Sequence, residues 1–196
     1  MTDRETIEVY NAHAADYAAM TQSEARDKQL VAFIARVPPK GAVLDLGCGP
    51  GHSAEEMARH GLTAHAMDPS PEMVRRATSR PGVIARQGSF DDLTEENLYD
   101  GIWANFSLLH APRADMPRHL AAIFRALRDN GTFHIGLKCG TGCARDRLGR
   151  FYTYYQEDEL LGLLQGAGFT ILKINRGRGK GLEGSVSDWI TVASHA

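Results

Sequence analysis

Val43-Leu44-Asp45-Leu46-Gly47-Cys48-Gly49-Pro50-Gly51 is the stretch from which the fold of this 196-residue chain can be read. An apolar run carrying one acid passes into a turn with glycine at every second position, and an amphipathic stretch from His52 to His60 follows. That succession predicts a buried strand, a tight turn and a helix N-terminus. Glycine at 47 and 49 permits positive φ and lets a ligand lie directly against the backbone. The helix start at Gly51 to Ser53 offers free N–H groups to a carboxylate or another anionic group. Many nucleotide-binding folds share this geometry, so the details must separate them.

Two details point away from a dinucleotide. The dinucleotide fingerprint spaces its glycines G-x-G-x-x-G, whereas here the third glycine comes one residue early and Pro50 fills the interval. Asp45 also sits inside the strand, two residues before Gly47, where its carboxylate can receive an ammonium group. An apolar strand with Asp two residues before G-x-G-x-G resembles motif I of the class I S-adenosylmethionine-dependent methyltransferases. The resemblance implies an α/β, Rossmann-like methyltransferase fold: a mostly parallel seven-stranded sheet with an antiparallel last strand and helices on both faces. It also implies S-adenosyl-L-methionine as cofactor, with Asp45, Gly47, Cys48 and Gly49 among its contacts. A glycine-rich turn with only a structural role is the plain alternative.

Downstream residues agree with the resemblance. Leu62 to Met67 reads as a second strand ending in Asp68-Pro69-Ser70. An acid there can hydrogen-bond both ribose hydroxyls of a nucleoside, or it can cap the next helix, which has Pro71 near its first turn. The resemblance favours the ribose for Asp68 and sets Pro69 beside it. Met73 is placed either to pack on an adenine face or to fill the core. A third strand, Val83 to Gln87, opens into Gly88-Ser89-Phe90-Asp91-Asp92. The resemblance makes Phe90 the apolar cover of the adenine and puts Ser89 where the family often has Asp. Whether Ser89, Asp91 or a backbone carbonyl reads the adenine stays open.

Tyr99 to Ala104 reads as the fourth strand, and Asn105-Phe106-Ser107-Leu108-Leu109-His110 follows it. This resembles the family's fourth-strand motif, whose carboxyl end lies beside the transferred methyl group, and it implies Asn105 as a cofactor contact. A helix from Asp115 to Leu127 and a turn at Asp129-Asn130-Gly131 lead to a fifth strand, Thr132 to Leu137. Glu157 to Gln165 is amphipathic and is stopped by Gly166-Ala167-Gly168. Thr170 to Ile174 and Trp189 to Ala193 read as two short strands at a sheet edge, joined by a glycine-rich connection too long for a tight turn.

The acceptor site has to come from segments above the strand ends. Residues 1–36 read as a helical N-terminal extension, ended by Pro38-Pro39. Its stretch Tyr10 to Tyr17 resembles the segment that covers cofactor and acceptor in small-molecule methyltransferases of this fold. Tyr10 and Tyr17, at i and i+7, line one helix face, although a plain packing helix has the same pattern. His110 is the best general-base candidate for its place at the end of the fourth-strand motif, against a capping or packing role. Arg145 to Tyr155 mixes cations with four aromatics. Through Arg150, Tyr152 and Tyr155 it can hold an anionic or planar acceptor, or it can be a lid docked on the core.

Composition narrows the classes. The length suits one domain, 1–196, with a sizeable core. A net charge of −2 argues against a nucleic-acid surface. The basic Arg176, Arg178 and Lys180 read as a solvated loop. Amino-group DNA methyltransferases carry [DN]-P-P-[YFW] after the fourth strand; this chain has Asn105-Phe106-Ser107-Leu108 and no Pro-Cys pair. No apolar run approaches the roughly 18 residues of a membrane span, and the N-terminus lacks a signal peptide's apolar core. Three cysteines without a paired framework point to the cytoplasm. Cys139 and Cys143 have no zinc-site spacing with histidine. Gly179 to Gly184 matches G-x-G-x-x-G but precedes no helix.

The expected function is therefore transfer of a methyl group from S-adenosylmethionine to a small-molecule acceptor by in-line displacement. Two rivals stay open on sequence alone. One is a non-catalytic S-adenosylmethionine-binding regulatory protein, for which Ser89 gives room. The other is an NAD-dependent oxidoreductase, which the glycine spacing and Pro50 disfavour.

Overall fold

The protein is described from a computed structural model, in which residues 3–22 and 27–196 are placed. Among the described residues the main sheet has seven strands: β1 (Ala42–Leu46), β2 (Thr63–Asp68), β3 (Val83–Gln87), β4 (Tyr99–Asn105), β5 (Leu127–Lys138), β8 (Thr170–Lys180) and β9 (Val186–His195). Their order is β3-β2-β1-β4-β5-β9-β8. The first five run parallel, and β9 lies antiparallel between β5 and β8. A small hairpin of β6 (Cys143–Arg145) and β7 (Phe151–Thr153) stands apart from the sheet.

Both faces of the central strands are apolar, as a parallel sheet covered on both sides requires. Leu44, Leu46, Ile102 and Ile135 join the core cluster that also holds Leu120 and Ile123 of α6 (Met116–Ala126) and Leu160 and Leu164 of α7 (Glu157–Gly166). Val43, Ala64 and Trp103 point the other way, onto Leu30 and Phe33 of α3 (Lys28–Ile34) and Met57 of α4 (His52–Arg59). Ala66 meets Ala54 and Ala77 on that side, where small residues let α4 and α5 (Pro71–Thr78) approach closely. The parallel order first reverses beside β1. The carboxyl ends of β1 and β4 diverge there into loops, which is where ligands bind in open α/β sheets.

The N-terminal segment is helical but broken. α1 (Arg4–Ala12) stops at His13, and α2 (Ala14–Met20) starts immediately after it. Asp3 caps α1 by accepting the Thr6 N–H at 2.8 Å and pairs with Arg145 at 2.8 Å. Thr6 Oγ1 accepts the Phe151 N–H at 2.8 Å, so α1 is tied to the β6–β7 hairpin.

Two local expectations change. The turn at Asp129-Asn130-Gly131 is a kink inside β5: Asn130 has φ 62°, and the pairing with β4 shifts between Tyr99 and Gly101. The C-terminal hairpin is longer than expected, because β8 runs on to Lys180 and only Gly181 to Ser185 turn. Gly177 and Gly179 belong to the strand because the Trp189 indole of β9 lies across them. A Cβ at Gly177 would sit 2.2 Å from its ring.

Candidate cofactor and acceptor site

The loop after β1 is built so that its backbone faces a cleft. Gly47 and Cys48 both donate their N–H groups to Met67 O, at 2.7 and 3.1 Å, which folds the loop back on β2. Gly47 has φ 76°, and a Cβ there would lie 2.3 Å from the Ser107 Cβ. The Ser107 hydroxyl donates to Leu46 O at 2.6 Å, joining the ends of β1 and β4. Arg80 holds the far side of the turn, with bonds of 2.6 Å to Pro50 O and to Glu55.

Asp68 ends β2 at the same cleft. Its carboxylate accepts the Gly49 N–H at 2.9 Å and the Ser70 N–H at 2.9 Å, one on each oxygen. A carboxylate oxygen accepts more than one hydrogen bond, so each retains capacity for one hydroxyl of a vicinal diol. Burial raises the Asp68 pKa to about 6, and the two backbone bonds only partly offset it. Ser70, rather than Asp68, caps α5 by accepting the Met73 N–H at 3.1 Å. The Ser70 hydroxyl also donates to Asn11 Oδ1 at 2.6 Å, so α1 is anchored at the cleft.

The cleft is concave and mostly apolar, as small-molecule sites are. Gly47, Gly49 and Asp68 line it beside Pro69, Met73 and Phe90. Helix α1 contributes Thr6, Ile7 and Tyr10, and Tyr17 comes from α2. Phe106, Ser107 and His110 close the end beneath β4. A bare backbone, a buried carboxylate with spare acceptor capacity and two apolar side chains could together hold an adenosyl group.

A second cavity shares Tyr10, Tyr17 and Phe106 with the first. Lys138, Arg150 and Tyr152 line its far side, with Trp189 and the tip of the β8–β9 hairpin. Phe106 holds φ 55° between the two cavities. For a bulky residue that region costs of order 1–3 kcal/mol and clusters at functional sites. The Tyr10 and Tyr17 rings meet edge-on at 5.1 Å across the helix break.

A buried polar chain runs behind this junction. His110 Nδ1 lies 2.6 Å from Phe151 O, a pure acceptor, so Nδ1 carries the proton. Nε2 is then an acceptor and takes the Tyr10 hydroxyl proton at 2.9 Å. Arg150 Nη1 donates to the same hydroxyl oxygen at 3.0 Å. The Arg150 guanidinium is itself buried and paired with Asp146 at 2.6 Å. Burial holds the His110 pKa down to about 4, against a smaller opposing contribution from the Phe151 carbonyl. The ring is therefore neutral near pH 7.

The structure gathers most of the expected residues but not all. Cys48 is buried, with its Sγ donating to Gly49 O at 3.4 Å, and Asp45 is buried in β1 opposite Ala66 and Trp103; neither lines the cleft. Asn105 is turned away, with Oδ1 bonded to His134 Nε2 at 3.2 Å. Ser89 caps the turn Phe90–Asp92 and exchanges bonds with Asp92 outside the cleft. Tyr155 sits in the core beneath the Arg113 guanidinium, 4.7 Å from its ring centroid, and lines neither cavity. Ser70, Phe106, Ser107, Lys138 and Trp189 enter instead. Phe106 and Ser107 follow the fourth strand, where the resemblance puts the transferred methyl group, and that position was the available signal. Lys138 and Trp189 carry no motif.

Comparison with known proteins agrees with the geometry. Residues 43–131 match a family model described as a methyltransferase domain. Over 91 residues the chain is 36% identical to trans-aconitate 2-methyltransferase of Mycobacterium tuberculosis, covering 44% of this chain and 34% of that protein. Over 86 residues it is 40% identical to the ubiquinone biosynthesis O-methyltransferase of Xanthomonas axonopodis pv. citri, covering 40% and 36%. The chain thus spans about a third of the length of these relatives. In fold it is similar to a S-adenosylmethionine-dependent methyltransferase of Methanosarcina mazei, with TM-score 0.73, 18% identity and coverage of 82% and 94%. The Burkholderia thailandensis 1,6-didemethyltoxoflavin-N1-methyltransferase matches with TM-score 0.70, 23% identity and coverage of 96% and 87%. Motif, sheet order and matched segment agree: residues 43–131 match a methyltransferase domain, and the fold is that of S-adenosylmethionine-dependent methyltransferases.

Proposed function

We propose that the protein transfers a methyl group from S-adenosylmethionine to a small-molecule acceptor by direct in-line displacement. The observation that carries this reading is the pair of adjoining cavities meeting at Tyr10, Tyr17 and Phe106. One suits an adenosyl group, and the other is a ring-lined chamber for an acceptor. Both sequence relatives bear the names of enzymes acting on small molecules, which supports the same class of acceptor.

S-adenosylmethionine supplies an activated methyl group, because its positive sulfur leaves as a neutral thioether. The protein's part is to orient and to exclude water, and proximity alone contributes about 7–11 kcal/mol in favourable intramolecular cases. In this reading Asp68 accepts the ribose hydroxyls, Met73 and Phe90 flank the adenine, and the turn from Gly47 to Gly49 lies along the methionine portion. Asp45 fixes the electrostatics beneath that turn. Residues 1–36, of which 1–2 and 23–26 lie outside the described residues, form the cover. For an acceptor that keeps its proton, Tyr10 takes that proton while passing its own to His110 Nε2. We place this one-domain protein in the cytoplasm; no helix among the described residues is long and apolar enough to cross a membrane.

Calorimetric titration with S-adenosylmethionine, S-adenosylhomocysteine and NAD in parallel tests the assignment. Micromolar binding of the first two and none of NAD is expected. NAD binding alone would overturn it. Tight cofactor binding without methyl transfer to any member of a broad acceptor library would favour the non-catalytic regulatory reading.

A further inference from the structure

The second cavity is electrostatically one-sided. Lys138, Arg150 and Lys180 line it, and no acid does among the described residues. Arg150 is neutralised by Asp146, with bonds at 2.6 and 2.9 Å, so it serves the Tyr10–His110 chain rather than a ligand. Glu183, at the hairpin tip, is occupied by the Arg147 N–H at 2.8 Å and by the Ser185 hydroxyl. Lys138 is different. It ends β5 opposite Trp189, its Nζ stands 4.1 Å from the Tyr152 ring centroid, and no carboxylate of a described residue is bonded to it. Burial, followed by the charge of Arg150, lowers its pKa, and the more distant carboxylates of Glu183 and Asp146 offset this only in part.

The walls are flat as well as cationic. Phe106 and Trp189 meet at 6.4 Å with their planes at 82°, and Tyr152 lies beneath Lys138. Gly177 and Gly179 exist in β8 to let the Trp189 indole lie down as one of these walls.

We propose that this cavity seats a planar, conjugated organic acid whose carboxylate pairs with Lys138 while its plane lies among Phe106, Tyr152 and Trp189. The proposal rests on the methyltransferase reading and deepens it by naming the class of acceptor. Closing two ammonium groups that no carboxylate of a described residue bonds beside a sulfonium is unfavourable unless the acceptor brings negative charge. An acid restores the balance and draws the second substrate in after the cofactor.

Direct binding tests this. The probes are benzoate, trans-cinnamate and indole-3-carboxylate, each paired with its neutral primary amide. They are titrated by calorimetry into the protein with and without saturating S-adenosylhomocysteine. At least one acid is expected to bind ten-fold or more tightly than its amide. Lys138→Met is expected to erase that preference while S-adenosylhomocysteine affinity stays within about twofold, and Lys180→Met to weaken it less. Amides binding as well as the acids, or no acid binding to protein that takes up S-adenosylhomocysteine normally, would overturn the proposal. Failure to bind S-adenosylhomocysteine at all would sink the methyltransferase reading instead, so the two failures are told apart.

Discussion

The hydroxyl of Tyr10 donates to Nε2 of His110 across 2.9 Å, joining residues 100 positions apart. The bond links the first helix to the turn that follows the fourth strand, and with the Phe151 carbonyl it fixes the direction of the imidazole. His110 turns its Nδ1 proton to Phe151 O and so can only accept from Tyr10.

Tyr10→Phe removes that donor and leaves Arg150 one acceptor short. Stability is expected to fall by about 1–3 kcal/mol, the cost of an unmade buried hydrogen bond. With an acceptor that must lose a proton, kcat is expected to fall by about 10²–10⁴-fold. His110→Gln should cause a similar loss, and the double variant should be little worse, because the two residues act as one unit. Losses that multiply in the double variant would show that they act separately.

Asp68 provides a pH test of the cofactor site. Its pKa is raised to about 6 by burial, and a ribose diol donates to the ionised form. Affinity for S-adenosylhomocysteine should therefore be full above pH 6 and decline as pH falls through that value, with proton release on binding near pH 6. Asp68→Ala should weaken binding by about 1–3 kcal/mol and flatten the pH dependence. Titration in buffers of different ionisation enthalpy reads both effects, and unchanged affinity would remove Asp68 from the ribose.

Acid stability should be governed by buried histidines. Burial lowers the pKa of His110 to about 4 and of His134 to about 3. Below about pH 6.5 the unfolded chain protonates these rings while the folded chain does not, so each costs roughly 1.4 kcal/mol of stability per pH unit as pH falls towards its folded value. Asp68 opposes this between pH 6 and 3.8, where the folded state holds the extra proton. The net expectation is a falling Tm from pH 6.5 to 4, with a shallower slope in His134→Gln. An equal slope in that variant would mean that His134 does not titrate on unfolding.

Gly47 can be tested with its neighbour. Gly47→Ala imposes a positive φ on alanine, at about 1–2 kcal/mol, and drives its Cβ to 2.3 Å from Ser107 Cβ. Overpacking of that kind adds about 1–3 kcal/mol. Ser107→Gly in the same chain should recover the steric part and leave the backbone part. Denaturant unfolding of the four members of the cycle separates the two, and full additivity would show that the side chains do not meet.

The sequence by itself determined the sheet and the cleft at the turn after β1. The reason is local: alternating glycines after an apolar strand, an acid at the end of the next strand and amphipathic helices between them leave few ways to fold. That Gly47, Gly49 and Asp68 share one cleft was legible because their placement depends on backbone a few residues away. Only tertiary structure decided the second cavity. Whether Arg150 faced a ligand or Asp146, whether Tyr155 reached a cavity or the core, and whether Gly177 marked a loop or made room for Trp189 depend on long-range packing. Lys138 shows the same limit. A lone cation at a strand end means nothing until the fold sets it among aromatic rings, with no acid of the described residues lining the cavity that it faces.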